Sequence, residues 1–541
     1  MNKMKKNVLL SLVFFTAFYA HAQNNISIII EPGEQWWTGV IKQGHLLPFK
    51  AATNYSFNLY GDNLYNQTQP LLLSNKGRYV WSQQPFQFNF SNNTITITGR
   101  GKIESGRNGN TLQTAQQFVR NTYFPASGKM PDSLLFLQPQ YNTWIELNYH
   151  HNQKDILKYA HDLINNGFPP GVFMIDDTWQ EDYGIWDFHP GRFNNPKAMV
   201  DELHQLGFKV MLWVVPFMSP DQAEFRKLRD KKIFLLEKKP GDTTSWQHSK
   251  ALPAIVSWWN GQSAVLDFSN PDAVSWFEEQ LQRLQKDYGI DGFKFDAADF
   301  EFYNEERQLG YQTASPNLQA EMYAKIGLNY PLNEFRACWK MAGQPLVQRL
   351  HDKNHSWEDL QKLVPHMLLE GLAGYTFSCP DMIGGGEINS FWGLKEKLDQ
   401  QLVVRSAQCH ALMPMMQFSV APWRILNDTA LAAVKKAVVL RKKFIPLIIQ
   451  LVKQSAQTGE PIVMLMEYVF PNQQMAGIKD QFMLGNKILV APVVVSNATE
   501  RTVILPIGNW KADDGKMYKG GKSIVIKTPL DRLPYFELMS N

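Results

Sequence analysis

The sequence predicts a (β/α)₈ barrel flanked by an N-terminal and a C-terminal β-sandwich. Three observations lead there. Between residues 137 and 424, short apolar runs alternate with helix-spaced segments. Polar side chains gather where the apolar runs end. Before and after this stretch, β-branched runs are broken by Asn, Gly and Ser clusters.

The first element is a leader. Lys3, Lys5 and Lys6 precede an apolar run over 8–19, and Ala20-His21-Ala22 forms a small-x-small site. Residues 1–22 read as a secretory signal peptide, too short to span a bilayer, which predicts a periplasmic or extracellular protein. Residues 23–135 are expected to be all-β, with strands at 26–30 and 94–98. Residues 74–82, which include Trp81, look like an exposed loop rich in donors and aromatics, with a plain hairpin as the alternative.

The central part, 136–455, carries the βα repeats. Expected strands cover 141–147, 171–175, 208–215, 292–295, 335–339, 375–379 and 413–418. Helices fill 155–164, 196–206, 273–288, 357–372 and 398–411. Near-continuous apolar strands indicate a parallel sheet covered by helices, and about eight units indicate closure. An open doubly wound sheet would be expected to open with a Gly-rich phosphate turn, and none is found. Residues 456–541 return to strand chemistry at 487–493, 502–506, 523–526 and 535–536, as a second small sandwich.

Composition excludes several functions. The formal charge of +4 includes the three leader lysines, so the exported chain is close to neutral. That argues against a nucleic-acid partner. Cys338, Cys379 and Cys409 fit neither a disulfide framework nor zinc spacing, and the histidines are scattered. No metal, cofactor or membrane span is expected, and nothing speaks to oligomeric state. The 16 Trp, 19 Tyr and 33 Phe are compatible with stacking on sugars.

The candidate residues lie at strand ends. Asp176 and Asp177 follow one strand, Trp213 ends the next, and Asp296 follows Phe293-Lys294-Phe295. Lys294 shares a strand face with Asp296 and is expected to keep it ionised. An ionised carboxylate at a barrel mouth suits attack on an anomeric carbon, and a second, protonated carboxyl must serve the leaving oxygen. Asp352, in a polar loop over 349–357, is the candidate. Singly, each has an ordinary alternative: an ion pair for Asp296, a solvated turn for Asp352, an N-cap for Asp177 or Asp381, barrel core for Trp213.

The order of segments adds a resemblance. GVFMIDDTW at 171–179, YGIWDFHP at 183–190, LGFKVMLWVVP at 206–216, GFKFDAAD at 292–299, Asp352 with Ser356-Trp357, PDMIGG at 380–385 and FMLGNKILVAPV at 482–493 resemble glycoside hydrolase family 31. The similarity covers nearly the whole exported chain. It implies a retaining, exo-acting α-glycosidase, with Asp296 as nucleophile and Asp352 as general acid/base. It also implies that Asp176, Asp177, Trp179, Trp213, Lys294, Arg336 and Asp381 hold substrate, and that the 74–82 loop with Trp81 closes over the pocket. The expected partner is an oligosaccharide or glycoside.

Two places depart from the family's α-glucosidases. The tail after Asp296 reads Ala297-Ala298-Asp299, not Met-Asn-Glu, and the place of an Arg-Asn-His signature reads Gln417-Phe418-Ser419. The Lys-Phe-Asp-Ala and Asp-Lys-Asn-His-Ser-Trp segments resemble the branch that holds the myogenesis-regulating glycosidase and some bacterial α-galactosidases. An α-galactoside is therefore the expected substrate, against an α-glucoside or α-xyloside. A catalytically silent sugar-binding relative is the remaining alternative.

Overall fold

The computed structural model describes residues 24–392 and 398–539. The predicted signal peptide lies outside the described residues.

The centre is a parallel eight-stranded barrel. Its strands, in chain order, are Gln140–Asn142, Val172–Ile175, Lys209–Val214, Gly292–Phe295, Leu332–Phe335, Gln348–Arg349, Ser378–Cys379 and Gln417–Phe418. The first seven pair in parallel with their chain neighbours, and the eighth pairs with the first through Gln417↔Gln140. A Met382↔Gln417 bridge joins the seventh strand's exit to the eighth and all but closes the ring. Most of these strand residues are buried, as two-sided cover by helices requires. Gly292 allows the fourth and fifth strands to approach: a Cβ there would meet Leu332 O at 2.1 Å.

Before the barrel lie two antiparallel sheets. One holds Asn24–Ile29, Tyr55–Asn58, Phe86–Ser91 and Thr94–Gly99. The other holds Trp36–Val40, Gln67–Ser74, Arg78–Ser82 and Ile103–Arg107, and borrows Cys338–Trp339 from the barrel loops. That borrowed pair aligns Cys338 with Gln67. It pins the loop preceding Gln67 beside the exit of the fifth barrel strand.

Three expectations are corrected, and one pair of alternatives is decided. The N-terminal part is not all-β: Leu112–Tyr123 is a helix, started by a Thr111/Thr114 capping box. The strand expected over 141–147 stops at Asn142, whose Oδ1 accepts the Trp144 N–H at 2.7 Å and opens a short helix, Trp144–Leu147. The segment 74–82 is a tight hairpin turning at Gly77 (φ +78°), the second of its two expected readings. Finally, Asp428–Thr458 is a single 31-residue helix capped by Asn427 and ended by Gly459 in the left-handed region, so it runs through the expected domain boundary at 455. The strands beyond it form a six-stranded antiparallel sheet and a separate antiparallel pair, Glu500–Leu505 with Lys522–Lys527.

Candidate active site

The carboxylates cluster at the C-terminal ends of the barrel strands. Asp296 directly follows the fourth strand. Its Oδ2 accepts the Trp213 indole N–H at 2.9 Å, and its Oδ1 accepts Arg336 Nε–H at 2.9 Å. Burial opposes the charge on Asp296, but Arg336, then Lys294 and Arg349, outweigh it and hold the carboxyl well below the usual range. The sequence pointed to Lys294 as the partner. Instead the Lys294 ammonium donates to Asp176 Oδ2 at 2.7 Å, and reaches Asp296 only through its field.

Arg336 is itself locked. Its two terminal nitrogens donate to both oxygens of Asp299 at 2.8 and 2.6 Å, and Nη1 also donates to Tyr65 O at 3.3 Å. Asp299, noted in the sequence only as a departure, is therefore the fork that aims Arg336 at Asp296. Tyr65 comes from the loop pinned by the Cys338–Gln67 pairing. The N-terminal domain thus reaches the mouth with residues 59–66, not with 74–82.

Asp352 follows the sixth strand, two strands along from Asp296. Arg349 Nη1 donates to Asp352 Oδ1 at 2.6 Å and to Asp381 Oδ1 at 2.8 Å, while Nε lies 3.2 Å from Glu334 Oε1. Asp381 Oδ2 further accepts the N–H groups of Lys353 and Gly386 at 2.8 and 3.1 Å. Burial pushes Asp381 up to about 7. Burial also opposes the charge on Asp352, but Arg349 and His351 hold it down to about 2. The Asp352 side chain is 27 % exposed and that of Asp381 1 %. Asp352 faces the mouth, and Asp381, expected to touch substrate, is a buried support behind it.

At the base, Asp176 Oδ2 accepts from Asn142 Nδ2 at 2.7 Å as well as from Lys294. Asp177 accepts from Thr178 N at 2.6 Å, from the Tyr183 hydroxyl at 3.1 Å and from Asn260 Nδ2. Burial, helped by Asp176, pushes Asp177 up to about 7. Thr178, Ala297 and Asp381 adopt φ of +68°, +61° and +76°, so the chain is strained where it leaves three of these strands.

Two expected contacts are not made by the structure. Trp81 is buried and stacks on Tyr123 at 5.2 Å, and among the described residues no hydrogen bond or ring contact ties it to the carboxylates. Trp179 is fully buried and donates its indole N–H to Trp213 O at 2.8 Å, so it positions Trp213 from behind. Gln417 Nε2 donates to Gln140 and Glu334, and Ser419 Oγ accepts Ile145 N–H. A cleft of about 500 Å³ lined by Tyr60, Arg100, Glu305 and Trp339 contains none of the site carboxylates.

Among the described residues no group of three or more His, Cys, Asp or Glu side chains is arranged to hold a metal. No helix among them is long and apolar enough to cross a membrane.

Residues 138–451 match the model of the glycosyl hydrolases family 31 TIM-barrel domain, and residues 459–537 match the family's C-terminal domain. The chain belongs to glycoside hydrolase family 31. One relative within it is the myogenesis-regulating glycosidase of Mus musculus, 30 % identical over 438 residues, 79 % of this chain and 60 % of that protein. Another, alpha-glucosidase 2 of Bacillus thermoamyloliquefaciens, is 24 % identical over 77 % of this chain and 54 % of its own length. The family 31 chain described here thus spans under two thirds of either curated relative. Its fold superposes on a Flavobacterium johnsoniae GH31 dextranase complexed with glucose, with TM-score 0.81, 18 % identity, and 95 % of this chain and 66 % of that one covered. A GH31 alpha-xylosidase from a soil metagenome gives TM-score 0.81 at 21 % identity, covering 96 % of this chain and 80 % of that one.

Proposed function

We propose that this family 31 chain is a retaining, exo-acting α-glycosidase that uses Asp296 as nucleophile and Asp352 as general acid/base. The observation that carries the reading is the unequal hold on two carboxyls at one barrel mouth. Asp296 is fixed and kept ionised by Arg336 and Trp213, while Asp352 is more open and shares its cation with a second carboxyl.

In the first step the Asp296 carboxylate attacks the anomeric carbon as the bond to the leaving oxygen breaks, and Asp352 gives that oxygen its proton. In the second, Asp352 takes a proton from water, which displaces Asp296 from the sugar. Asp352 must hold a proton first, although Arg349 holds it down in the free protein. Bound sugar removes water from Asp352, which favours the neutral form, and an ionised Asp381 on the same guanidinium nitrogen favours it too, by competing for Arg349 and repelling the Asp352 charge. The buried Asp176, Asp177 and Trp213 floor supports a pocket for one terminal sugar.

For the sugar, an α-galactoside is the reading. It is supported by the Ala297-Ala298-Asp299 tail, in which Asp299 is committed to Arg336, and by a last strand whose Gln417 Nε2 is committed to Gln140 and Glu334. The leader over 1–22 makes export to the periplasm or beyond part of the same proposal.

The test is turnover of nitrophenyl α-galactoside, α-glucoside, α-xyloside and α-N-acetylgalactosaminide, with product anomers followed by NMR. Release of the α-anomer from the galactoside first, and loss of turnover in Asp296→Asn, is the expected result. Inversion, or full activity in Asp296→Asn, would overturn it.

A further inference from the structure

The cleft of about 500 Å³ beside Tyr60 runs between the N-terminal domain and the loops that follow the fourth and fifth barrel strands. Strand pairing builds one wall. Asn58 aligns with Gln87, and Gln87 with Thr98, so three polar side chains form a row across the first N-terminal sheet. The alternate residues Phe86 and Phe88 are buried. Trp339, Asn317 and Glu305 of the barrel loops form the facing wall. The walls are tied together. Asn317 Nδ2 donates to Leu59 O at 2.9 Å, the Tyr60 hydroxyl donates to Glu305, and Lys340 N–H donates to Thr68 O at 3.0 Å. The cleft is therefore preformed.

A second cleft of about 210 Å³ continues it, sharing Gln83, Glu321 and Lys340 with the first. Trp81 and Tyr123, stacked at 5.2 Å, line this end. Three residues along the groove carry a buried polar atom with no hydrogen-bond partner among the described residues: Asn317 Oδ1, Trp81 Nε1 and Gln69 Oε1. None of the three residues is more than 2 % exposed. The side-chain amides of Gln83 and Gln87 are also uncommitted. Charge is balanced. Glu321 pairs with Lys340 at 3.0 Å, Glu305 accepts from Tyr60 and Thr313, and Arg100 lies over the Tyr60 ring at 4.9 Å.

We propose that this groove is a second binding site, separate from the barrel mouth, and that it takes a neutral oligosaccharide chain. Amides both donate and accept, as sugar hydroxyls do. Buried polar atoms left without a partner are costly, and a hydroxylated ligand offers them one. An anionic chain would meet Glu305 and Glu321 as well as Arg100 and Lys340, with no excess of positive charge to hold it. Two clefts that share lining residues suit an extended chain, and the first alone falls in the roughly 300–1,000 Å³ range of ligand pockets. Tyr60 in the groove and Tyr65 at the mouth stand on one loop, and Tyr65 O accepts Arg336 Nη1–H. A chain held in the groove is thus kept near the mouth, which raises its effective concentration there. That gain in turnover rests on the α-glycosidase reading; binding in the groove does not.

The test titrates the full chain carrying Asp296→Asn, which blocks turnover, with stachyose, maltotetraose and cellotetraose by calorimetry. Tetragalacturonate is the anionic counterpart. The same titrations are repeated with Gln83→Ala and Gln87→Ala added, two exposed amides that bond nothing in the fold. We expect a neutral tetrasaccharide to bind and the paired substitution to weaken it by about ten-fold. With Asp296 intact, the same pair should leave nitrophenyl glycoside turnover unchanged. No binding of any neutral chain, binding that the pair leaves unchanged, tighter binding of tetragalacturonate, or an equal loss on nitrophenyl glycosides overturns the groove. Absence of nitrophenyl glycoside turnover in the unsubstituted protein counts against the α-glycosidase reading alone and leaves the binding result standing.

Discussion

Asp352 and Asp381 share a single guanidinium nitrogen: Arg349 Nη1 lies 2.6 Å from Oδ1 of the first and 2.8 Å from Oδ1 of the second. One cation thus serves two carboxylates, with Glu334 beside them.

Removing that cation reverses the acid–base character of the site. In Arg349→Met the fold is expected to lose about 3–5 kcal/mol, the cost of leaving buried charges uncompensated. The sign with pH follows from the folded-state values. Asp352 is now depressed to about 2, so its contribution is present above the unfolded value of about 3.9 and is lost as pH falls toward 2. Without Arg349, burial raises the folded value of Asp352 and lifts the already raised Asp381 and Glu334 further. Their contribution is then present at low pH and lost as pH rises through the raised values. The variant's melting temperature should be higher at pH 5 than at pH 8. A melting temperature that does not fall between these two pH values refutes the shared-cation account.

Gly386 tests the geometry of the same pair. A Cβ at this position would meet Asp381 Oδ1 at 2.7 Å and Asp352 Oδ1 at 2.8 Å. Asp381 is tied by two backbone N–H groups, so Asp352, the more exposed, is the one to move. Gly386→Ala should lower kcat by roughly 10²-fold, as an ångström-scale displacement of a reacting group does. Steady-state kinetics on the best nitrophenyl glycoside check this, and unchanged kcat would mean that Asp352 need not sit where it does.

Asp299 should matter without touching substrate. In Asp299→Asn the fork on Arg336 loses its charge, and Arg336 is free to swing from Asp296. We expect kcat/KM to fall by about ten-fold or more, with recovery in no part by added substrate, because the loss lies in the attacking group's orientation. A pure KM effect contradicts this role.

Trp213→Phe removes one donor to the ionised form of Asp296 while keeping an aromatic wall. The Asp296 carboxyl should titrate higher, so the acidic limb of the kcat/KM profile moves to higher pH. An acidic limb that stays in place assigns the holding of the charge to Arg336 alone.

Much of this was legible in the chain, because strand and helix periods are local. The apolar run over 171–175 ending in Asp176-Asp177 marks both a strand and its functional exit. Helix stops were equally local: Gly289 and Gly374 end their helices in the left-handed region that glycine favours. Where a short polar contact overrode the pattern, the reading failed. Residues 144–147 look like a strand continuing from 141, yet the Trp144 N–H to Asn142 Oδ1 bond turns the chain into a short helix.

By itself, then, the sequence determined the barrel, the strand-end carboxylates and the family. What it could not decide was which cation serves which carboxylate. Lys294 lies two residues from Asp296 and bonds Asp176 instead, whereas Arg336, 40 residues away, holds Asp296. Tyr65 reaches Arg336 across 271 positions, and Asn260 reaches Asp177 across 83. Spacing along a chain specifies which face a side chain occupies. Only the closed ring of strands, with a hairpin and a domain loop folded over it, specifies what that side chain meets.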